Sequence, residues 1–396
     1  MSRRIVPIGP YHPLQEEPEF FKLIVEGETV VGLEIVIGYN HRGHEYLAQG
    51  MTWEQIPFLV ERICGICSNS HPLAFVQAAE DCGRIEVPER AKFLRSIVHE
   101  LERIHSHLLW VGLAGHFIGY NTVWMWAWKY REHILDLFEL ITGNRNHYAM
   151  NKIGGVRHDV KPEQVPAIEA ALKLAEEKTM MLTKAVLDDP VILARLENVG
   201  VLPRQAAIDL SVLGPTARAS GVDIDVRRDD PHAAYDRVAW NVVVFPEGDV
   251  LAKAKVRLLE IMESIRIVRG CLVQLPDGPI ETKVDEVAAG EGIGRTEAPR
   301  GEVFHYVRSN GTNMPVRHKV RAPSFMNLIS NEIAVKGYSI ADAALCLAAV
   351  DPCYCCTERM AVVADGHVRY TGKELLELSW AKTERLRARY RGMSAR

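Results

Sequence analysis

At 396 residues, with 47% hydrophobic and 25% charged residues, the chain has the make-up of a folded globular protein, long enough for one large core or for two or three average domains. Its formal net charge of −4 leaves no basic footprint, which excludes nucleic acid as a partner class. The longest apolar runs are broken by Lys129, Arg131 and Glu132 or by Asp342, short of the roughly 18 residues of a membrane span, so the chain is not expected to cross a bilayer by itself.

In chain order, Arg3-Arg4 lacks the apolar segment that follows such a pair in an export signal, so the arginines read as surface charge and the chain as cytoplasmic. Residues 20–25 and 30–37 are β-branched, partly alternating and joined through Gly27, which predicts a hairpin and makes residues 1–60 a β-rich segment. Leu94, Ile97, Leu101, Ile104, Leu108 and Val111 recur at helical spacing and predict a helix over 89–115 with one buried face. His99, Glu100, Glu102, His105 and His107 share that helix without the spacing of a paired metal site, and read as solvated or subunit-facing. Trp110, Trp124, Trp126 and Trp128 read as core or interface aromatics. Further helices are predicted over 122–142, 163–187 and 249–275, the second of these stopped by Asp188-Asp189-Pro190. Gly and Pro density over 276–325 predicts turns and short strands. A last helix precedes Cys353, and a basic, exposed helix follows from about Thr383. The expected fold class is α+β, mainly a helical bundle, with a β-rich N-terminal portion and short strands around 276–325. The expected organisation is that N-terminal segment, a helical core over 61–359, and a C-terminal extension over 360–396.

Two cysteine pairs carry the chemistry: Cys64 and Cys67 in Arg62-Ile-Cys-Gly-Ile-Cys, and Cys353 and Cys356 in Asp351-Pro-Cys-Tyr-Cys-Cys-Thr-Glu-Arg359. The two-residue gap lets both sulfurs of a pair meet one metal, and two such pairs make a four-thiolate site. Cysteines grouped this way fit a reducing compartment better than a disulfide framework. A structural zinc would use the same spacing. Separation of the pairs by most of the chain, and the charges at Arg62, Arg300, Asp351 and Arg359, suit a buried anionic redox centre instead. Cys355 stands at the wrong gap, and Cys82, Cys271 and Cys346 stand alone in apolar surroundings; all four read as inert buried thiols.

Residues 62–71, Arg-Ile-Cys-Gly-Ile-Cys-Ser-Asn-Ser-His, and the segment Asp351 to Arg359 resemble the two signature motifs of nickel-iron hydrogenase large subunits. Arg359, where many members have histidine, is similar to the energy-converting, membrane-bound group 4 type related to respiratory complex I. Gly9-Pro-Tyr-His-Pro with Glu17-Pro18, His41-Arg-Gly-His-Glu45 and Glu297-Ala-Pro-Arg-Gly301 extend the resemblance, and Gly214-Pro-Thr-Ala-Arg218 resembles the complex I quinone-site subunit. The resemblance implies nickel held by Cys64, Cys67, Cys353 and Cys356, with Cys67 and Cys356 bridging to an iron that carries carbon monoxide and cyanide. It implies that His71 bonds a bridging sulfur, that Arg300 with Asp351 covers the open metal position, and that Arg62, Arg359 and Glu45 border the cofactor. Cys353 would take the proton of a split dihydrogen and pass it to Glu17, with Glu16 competing for that role and His12 joining the route. The activity implied is reversible heterolytic cleavage of dihydrogen. No cysteines remain for an iron-sulfur cluster, so an iron-sulfur small subunit is implied, with membrane-embedded complex I-like subunits and a ferredoxin-type electron carrier. The place implied is the inner face of the cell membrane, bound peripherally, and Arg359-Met360 is a candidate cleavage point for a maturation protease. The alternatives are a metal-free quinone-site subunit of a complex I-like oxidoreductase and a structural four-cysteine zinc protein.

Overall fold

The computed structural model describes residues 2–13, 15–357, 362–364, 367–370 and 372–391. Helices dominate, accompanied by small antiparallel sheets, which is the expected α+β class. The first sheet runs Arg3–Ile8, Phe20–Glu26 and Thr29–Val36 in that order, the last two joined through Gly27 at φ 65°. Phe21, Leu23 and Val25 alternate onto one face. That face packs not on its own segment but on Leu328, Val335, Ala343, Leu347, Val350 and Tyr354 near the other end of the chain. The loop carrying Glu16 and Glu17 is thereby brought to the second cysteine motif.

Four long helices, Glu89–Phe117, Asn121–Thr142, Val165–Asp188 and Val250–Gln274, build the main core at the positions their periodicity predicts. Asp189 ends the third by starting another: its side chain accepts from the N–H groups of Val191 and Ile192 and caps Pro190–Leu196. Glu89–Phe117 departs from the expectation of one buried face. His99, Glu100, Glu102, Arg103, His105 and His107 are at most 1% exposed, so the histidines and carboxylates expected in solvent are interior groups. Pairing makes this tolerable: Arg103 and Arg227 bracket Glu100, and His107 meets Glu260 at 2.8 Å. Of the tryptophans, Trp110 is buried, whereas Trp126 and Trp128 on Asn121–Thr142 are exposed.

The stretch over 276–325 contains strands longer than expected. Gly290–Ala298 and Gly301–Ser309 pair over nine residues each, and Arg317–Arg321 adds a third strand. The glycines that looked like loop punctuation have a packing role here. A Cβ at Gly292 would lie 2.1 Å from the carbonyl of Ala78, and one at Gly294 1.9 Å from that of Ala74, so only glycine lets the helix Ser70–Gly83 lie directly on this strand. Ala298 pairs with Gly301, leaving Pro299-Arg300 as a two-residue turn. Beyond Thr357, the strands Val362–Ala364 and His367–Tyr370 pair and the helix Gly372–Arg391 follows; Arg359 and Met360 lie outside the described residues.

Candidate metal centre

Each cysteine pair sits where the chain must turn tightly. Cys64 and Cys67 lie between the short helix Ile56–Glu61 and the N-terminus of Ser70–Gly83, with the Cys64 sulfur accepting from the N–H groups of Ile66 at 3.4 Å and Cys67 at 3.3 Å. Cys353 follows the helix Ile340–Ala349 through Asp351, a non-glycine residue at φ 56°, and Cys356 closes a single 3-10 turn. The motifs meet: Cys353 Sγ lies 3.1 Å from Cys64 Sγ and 2.8 Å from Cys356 Sγ. Cys64, Cys353, Cys355 and Cys356 have sulfurs mutually within 4.8 Å, so Cys355, expected to be inert, stands inside the cluster. Its 3-10 turn brings it there, since residues 353, 355 and 356 then present their sulfurs to one side. Cys67 lies at the edge of the group, 3.7 Å from Arg300 Nη1.

So many buried thiols cannot all ionise. The Cys64 thiolate is favoured by the S–H of Cys353 and the other neighbouring thiols, and its pKa is pushed well down. Cys67 is held protonated by its bond to Cys64 and by burial, and Cys356 by burial and its neighbouring thiols. A soft dication that replaces those protons relieves this repulsion, and thiolate sulfur is the donor such ions prefer. The donor set therefore fits a nickel-containing centre.

Counter-charge comes from Arg300, 1% exposed. Its Nη2 meets Asp351 Oδ1 at 2.7 Å, its Nε donates to the Asp351 carbonyl at 2.8 Å, and its Nη1 reaches Ser106 Oγ at 3.2 Å. Burial alone would lower its pKa, but Asp351 and the thiols Cys67 and Cys353 hold the guanidinium charged. His71 Nε2 lies 3.6 Å from Cys356 Sγ, and its Nδ1 begins a chain to His305 at 3.1 Å and on to His318 at 3.0 Å. Burial lowers His71 to about 4, so it is neutral.

Glu17 Oε2 accepts the N–H of Cys355 at 2.6 Å. Burial and then the charge of Cys64 raise its pKa, which makes it a proton acceptor beside the thiols. Glu16 keeps an exposed edge, yet desolvation lifts it to about 7 against the opposing charge of Arg300. Two expected residues point elsewhere. Arg62 is half-exposed and bonds Glu61 and the carbonyl of Phe58, while Glu45 accepts from Lys319 Nζ and the N–H of Val320 on the outer strand.

Arg42, which sequence reasoning passed over, takes the place expected of Arg62. Its guanidinium donates to the carbonyls of Arg62, Ile63 and Cys355, tying the two cysteine motifs together. Its position inside His41-Arg-Gly-His-Glu45 was the available signal. Glu102 was also missed: it accepts from the N–H groups of Asn69 and Ser70 just beyond Cys67, and burial raises it to about 8. Only the fold reveals that contact.

The family model of nickel-dependent hydrogenases matches residues 42–112, and that of the respiratory-chain NADH dehydrogenase 49 Kd subunit matches residues 118–289 and 282–359. Among curated relatives, the alpha subunit of the membrane-bound hydrogenase of Pyrococcus furiosus is 42% identical, over 98% of this chain and 95% of that protein. The carbon monoxide-induced hydrogenase of Rhodospirillum rubrum is 38% identical over 91% of this chain and its own full length. An NADH-quinone oxidoreductase subunit of Sinorhizobium medicae is 35% identical over 87% of this chain and 93% of that one. A chain of an archaeal membrane-bound sulfane sulfur reductase superposes with a TM-score of 0.86 at 29% identity, covering 90% of this chain and 99% of that chain. The chain belongs to the large-subunit family of group 4 nickel-iron hydrogenases, which it shares with the 49 kDa-type subunits of complex I.

Proposed function

We propose that the chain is the catalytic large subunit of an energy-converting nickel-iron hydrogenase, interconverting dihydrogen with protons and electrons. The observation that carries this reading is the convergence of both cysteine motifs, Arg300 with Asp351, and Glu17 on one buried pocket. A nickel-iron centre with carbon monoxide and cyanide on its iron supplies, when bound, the heterolytic cleavage of dihydrogen and the acceptance of electrons. Cys64, Cys67, Cys353 and Cys356 hold it. Arg300, locked by Asp351, keeps a fixed positive charge beside the Cys67 sulfur and would offset the negative charge of the thiolates that hold the centre. Protons leave through Glu17, whose carboxylate lies beside the backbone of Cys355 and under the charge of Cys64. His71 Nε2 lies within hydrogen-bond reach of the Cys356 sulfur and orients it, while its Nδ1 packs against His305 Nε2.

Electrons leave through an iron-sulfur small subunit, because Cys82, Cys271 and Cys346 are buried apart from the cluster. Among the described residues no helix is long and apolar enough to cross a membrane, which suits a peripheral position on complex I-like membrane subunits at the cytoplasmic face, coupled to a ferredoxin-type carrier. Cleavage at Arg359-Met360 by a maturation protease belongs to the same reading. A second reading, a metal-free subunit of a complex I-like or sulfur-reducing complex, draws on the 49 Kd match and on the reductase superposition. Retention of all four motif cysteines favours the first. Metal analysis of the purified complex separates them: one nickel per complex, with iron in excess of nickel from the iron-sulfur clusters and infrared bands of metal-bound carbonyl and cyanide, is expected, and an active complex without nickel and without those bands overturns the proposal.

A further inference from the structure

Arg257, on the helix Val250–Gln274, is fully buried, and its donors are only partly used. Its Nη1 donates to the carbonyl of Lys253 at 2.9 Å, and its guanidinium carbon lies over the Trp110 ring, 4.1 Å from the centroid. Among the described residues its Nε and Nη2 have no hydrogen-bond partner. Nε instead faces Asp351 Oδ2 at 3.8 Å, an ion-pair distance, and that oxygen also lacks a hydrogen-bond partner. We propose that Arg257 is a positioning residue of the metal centre: its charge holds Asp351 Oδ2, which keeps Oδ1 turned toward Arg300 and Arg300 beside Cys67. The inference rests on the reading of this pocket as a nickel-iron centre.

The Asp351 carboxylate lies between two buried cations, Arg300 Nη2 at 2.7 Å from Oδ1 and Arg257 Nε at 3.8 Å from Oδ2. Its backbone is held separately: the N–H donates to the carbonyl of Ala348 at 3.0 Å, and the carbonyl accepts from Arg300 Nε at 2.8 Å. What remains free is rotation of the side chain, and a cation on each side sets it. Trp110 couples the two ends, since its ring carries Arg257 while its Nε1 donates to the same Ala348 carbonyl at 2.9 Å. The helices Glu89–Phe117 and Val250–Gln274 thus bear on the residue two positions before Cys353. Charge points the same way. Glu260, the other carboxylate acting on Arg257, is occupied by Arg218 and His107, each at 2.8 Å. Asp351 alone then faces two guanidiniums, one positive charge in excess before any thiolate ionises. An arginine kept only for stability would bond its donors and match its charge. A surplus cation beside the cysteine motifs suits an anionic centre. Burial lowers Arg257 to about 10 against the opposing charges of Asp351 and Glu260, so it stays charged at neutral pH.

Two measurements test this. In the purified complex, Arg257→Met is expected to keep its nickel, to shift the infrared bands of metal-bound carbonyl and cyanide, and to lose about 10–100-fold in dihydrogen–deuterium exchange, the range for removing an outer partner of a metal site. Arg257→Lys, which keeps the charge, should recover part of both. Unshifted bands with full exchange in Arg257→Met overturn the proposal, as does an equal loss of nickel and melting temperature in both variants, which would mark a purely structural arginine. The second measurement needs no metal: a double-mutant cycle of Arg257→Met and Asp351→Asn in urea unfolding of the full-length metal-free chain. The unfolding constant of the double variant should depart about tenfold from the product of the single effects, as for residues in one ion-pair network. Agreement within about twofold overturns the proposal. Where Arg257→Met does not fold, Arg257→Lys takes its place in the cycle, with the same two outcomes. A wild-type complex without nickel and without those bands would sink the hydrogenase reading instead, and the cycle would still decide whether Arg257 holds Asp351.

Discussion

Two adjacent carboxylates show how much a single residue's placement decides. Glu16 and Glu17 are indistinguishable by type, yet Glu17 bonds the backbone of Cys355 while Glu16 keeps an exposed edge. Glutamine at position 17 can still accept that N–H but cannot carry a proton. Glu17→Gln is therefore expected to keep its nickel and iron while losing about 100-fold or more in dihydrogen turnover, the usual range for removing a proton-transfer group. Metal analysis beside dihydrogen–deuterium exchange checks this, and unimpaired exchange would assign the proton route to another group. Arg300 makes the complementary point: an arginine in a Pro-Arg-Gly turn is normally solvated, and here the turn drives it inward onto Asp351.

At the scale of elements, close backbone approach holds the Arg300 turn. Gly214 has φ 64°, and a Cβ there would lie 2.4 Å from the carbonyl of Arg300. Asn327 braces the same place, donating to that carbonyl and accepting from the N–H of Leu213. Gly214→Ala is expected to displace the turn and with it the guanidinium, lowering turnover more than it lowers the melting temperature; equal stability and turnover relative to wild type would contradict this. The helix Glu89–Phe117 depends instead on paired charge. Arg227 meets Asp225 at 2.7 Å and Glu100 at 3.1 Å, and Arg218 meets Glu260 at 2.8 Å and Glu297 at 2.7 Å, all buried. Arg227→Met leaves two buried carboxylates short of a partner and should cost about 3–5 kcal/mol in denaturant unfolding. A loss under about 1 kcal/mol would mean that the network relaxes or hydrates.

Across the whole molecule, buried histidines set the response to acid. Burial lowers His107 to about 4 and His232 and His318 to about 3, against 6.5 in the unfolded chain. Between pH 6.5 and about 4 the unfolded chain binds more protons, so the stability these groups contribute is complete above 6.5 and lost as pH falls. Each pH unit in that window is worth about 1.4 kcal/mol per group. Glu102 acts oppositely: raised by burial from 4.5 to about 8, it contributes stability that is lost as pH rises across that interval. The melting temperature of the metal-free chain is expected to peak near neutral pH and to fall steeply toward pH 4. A flat profile on the acid side would contradict the interior placement of these imidazoles.

Periodicity and motif spacing alone determined the long helices, the N-terminal hairpin, the α+β class and the two cysteine pairs, because each is written in neighbours a few residues apart. The sequence did not reveal that the polar side of Glu89–Phe117 is also buried, since its partners Arg227 and Glu260 come from distant segments. The glycines of Gly290–Ala298 looked like loop for the same reason: only the helix Ser70–Gly83 lying against them shows why side chains are absent. That Arg300 faces a sulfur, that Arg42 rather than Arg62 ties the two cysteine loops through their carbonyls, and that Cys355 stands in the cluster were decided by tertiary structure. Ligand geometry depends on the directions in which distant parts of the chain arrive, as with Cys64 and Cys353 at a separation of 289 residues, and no local pattern encodes that direction.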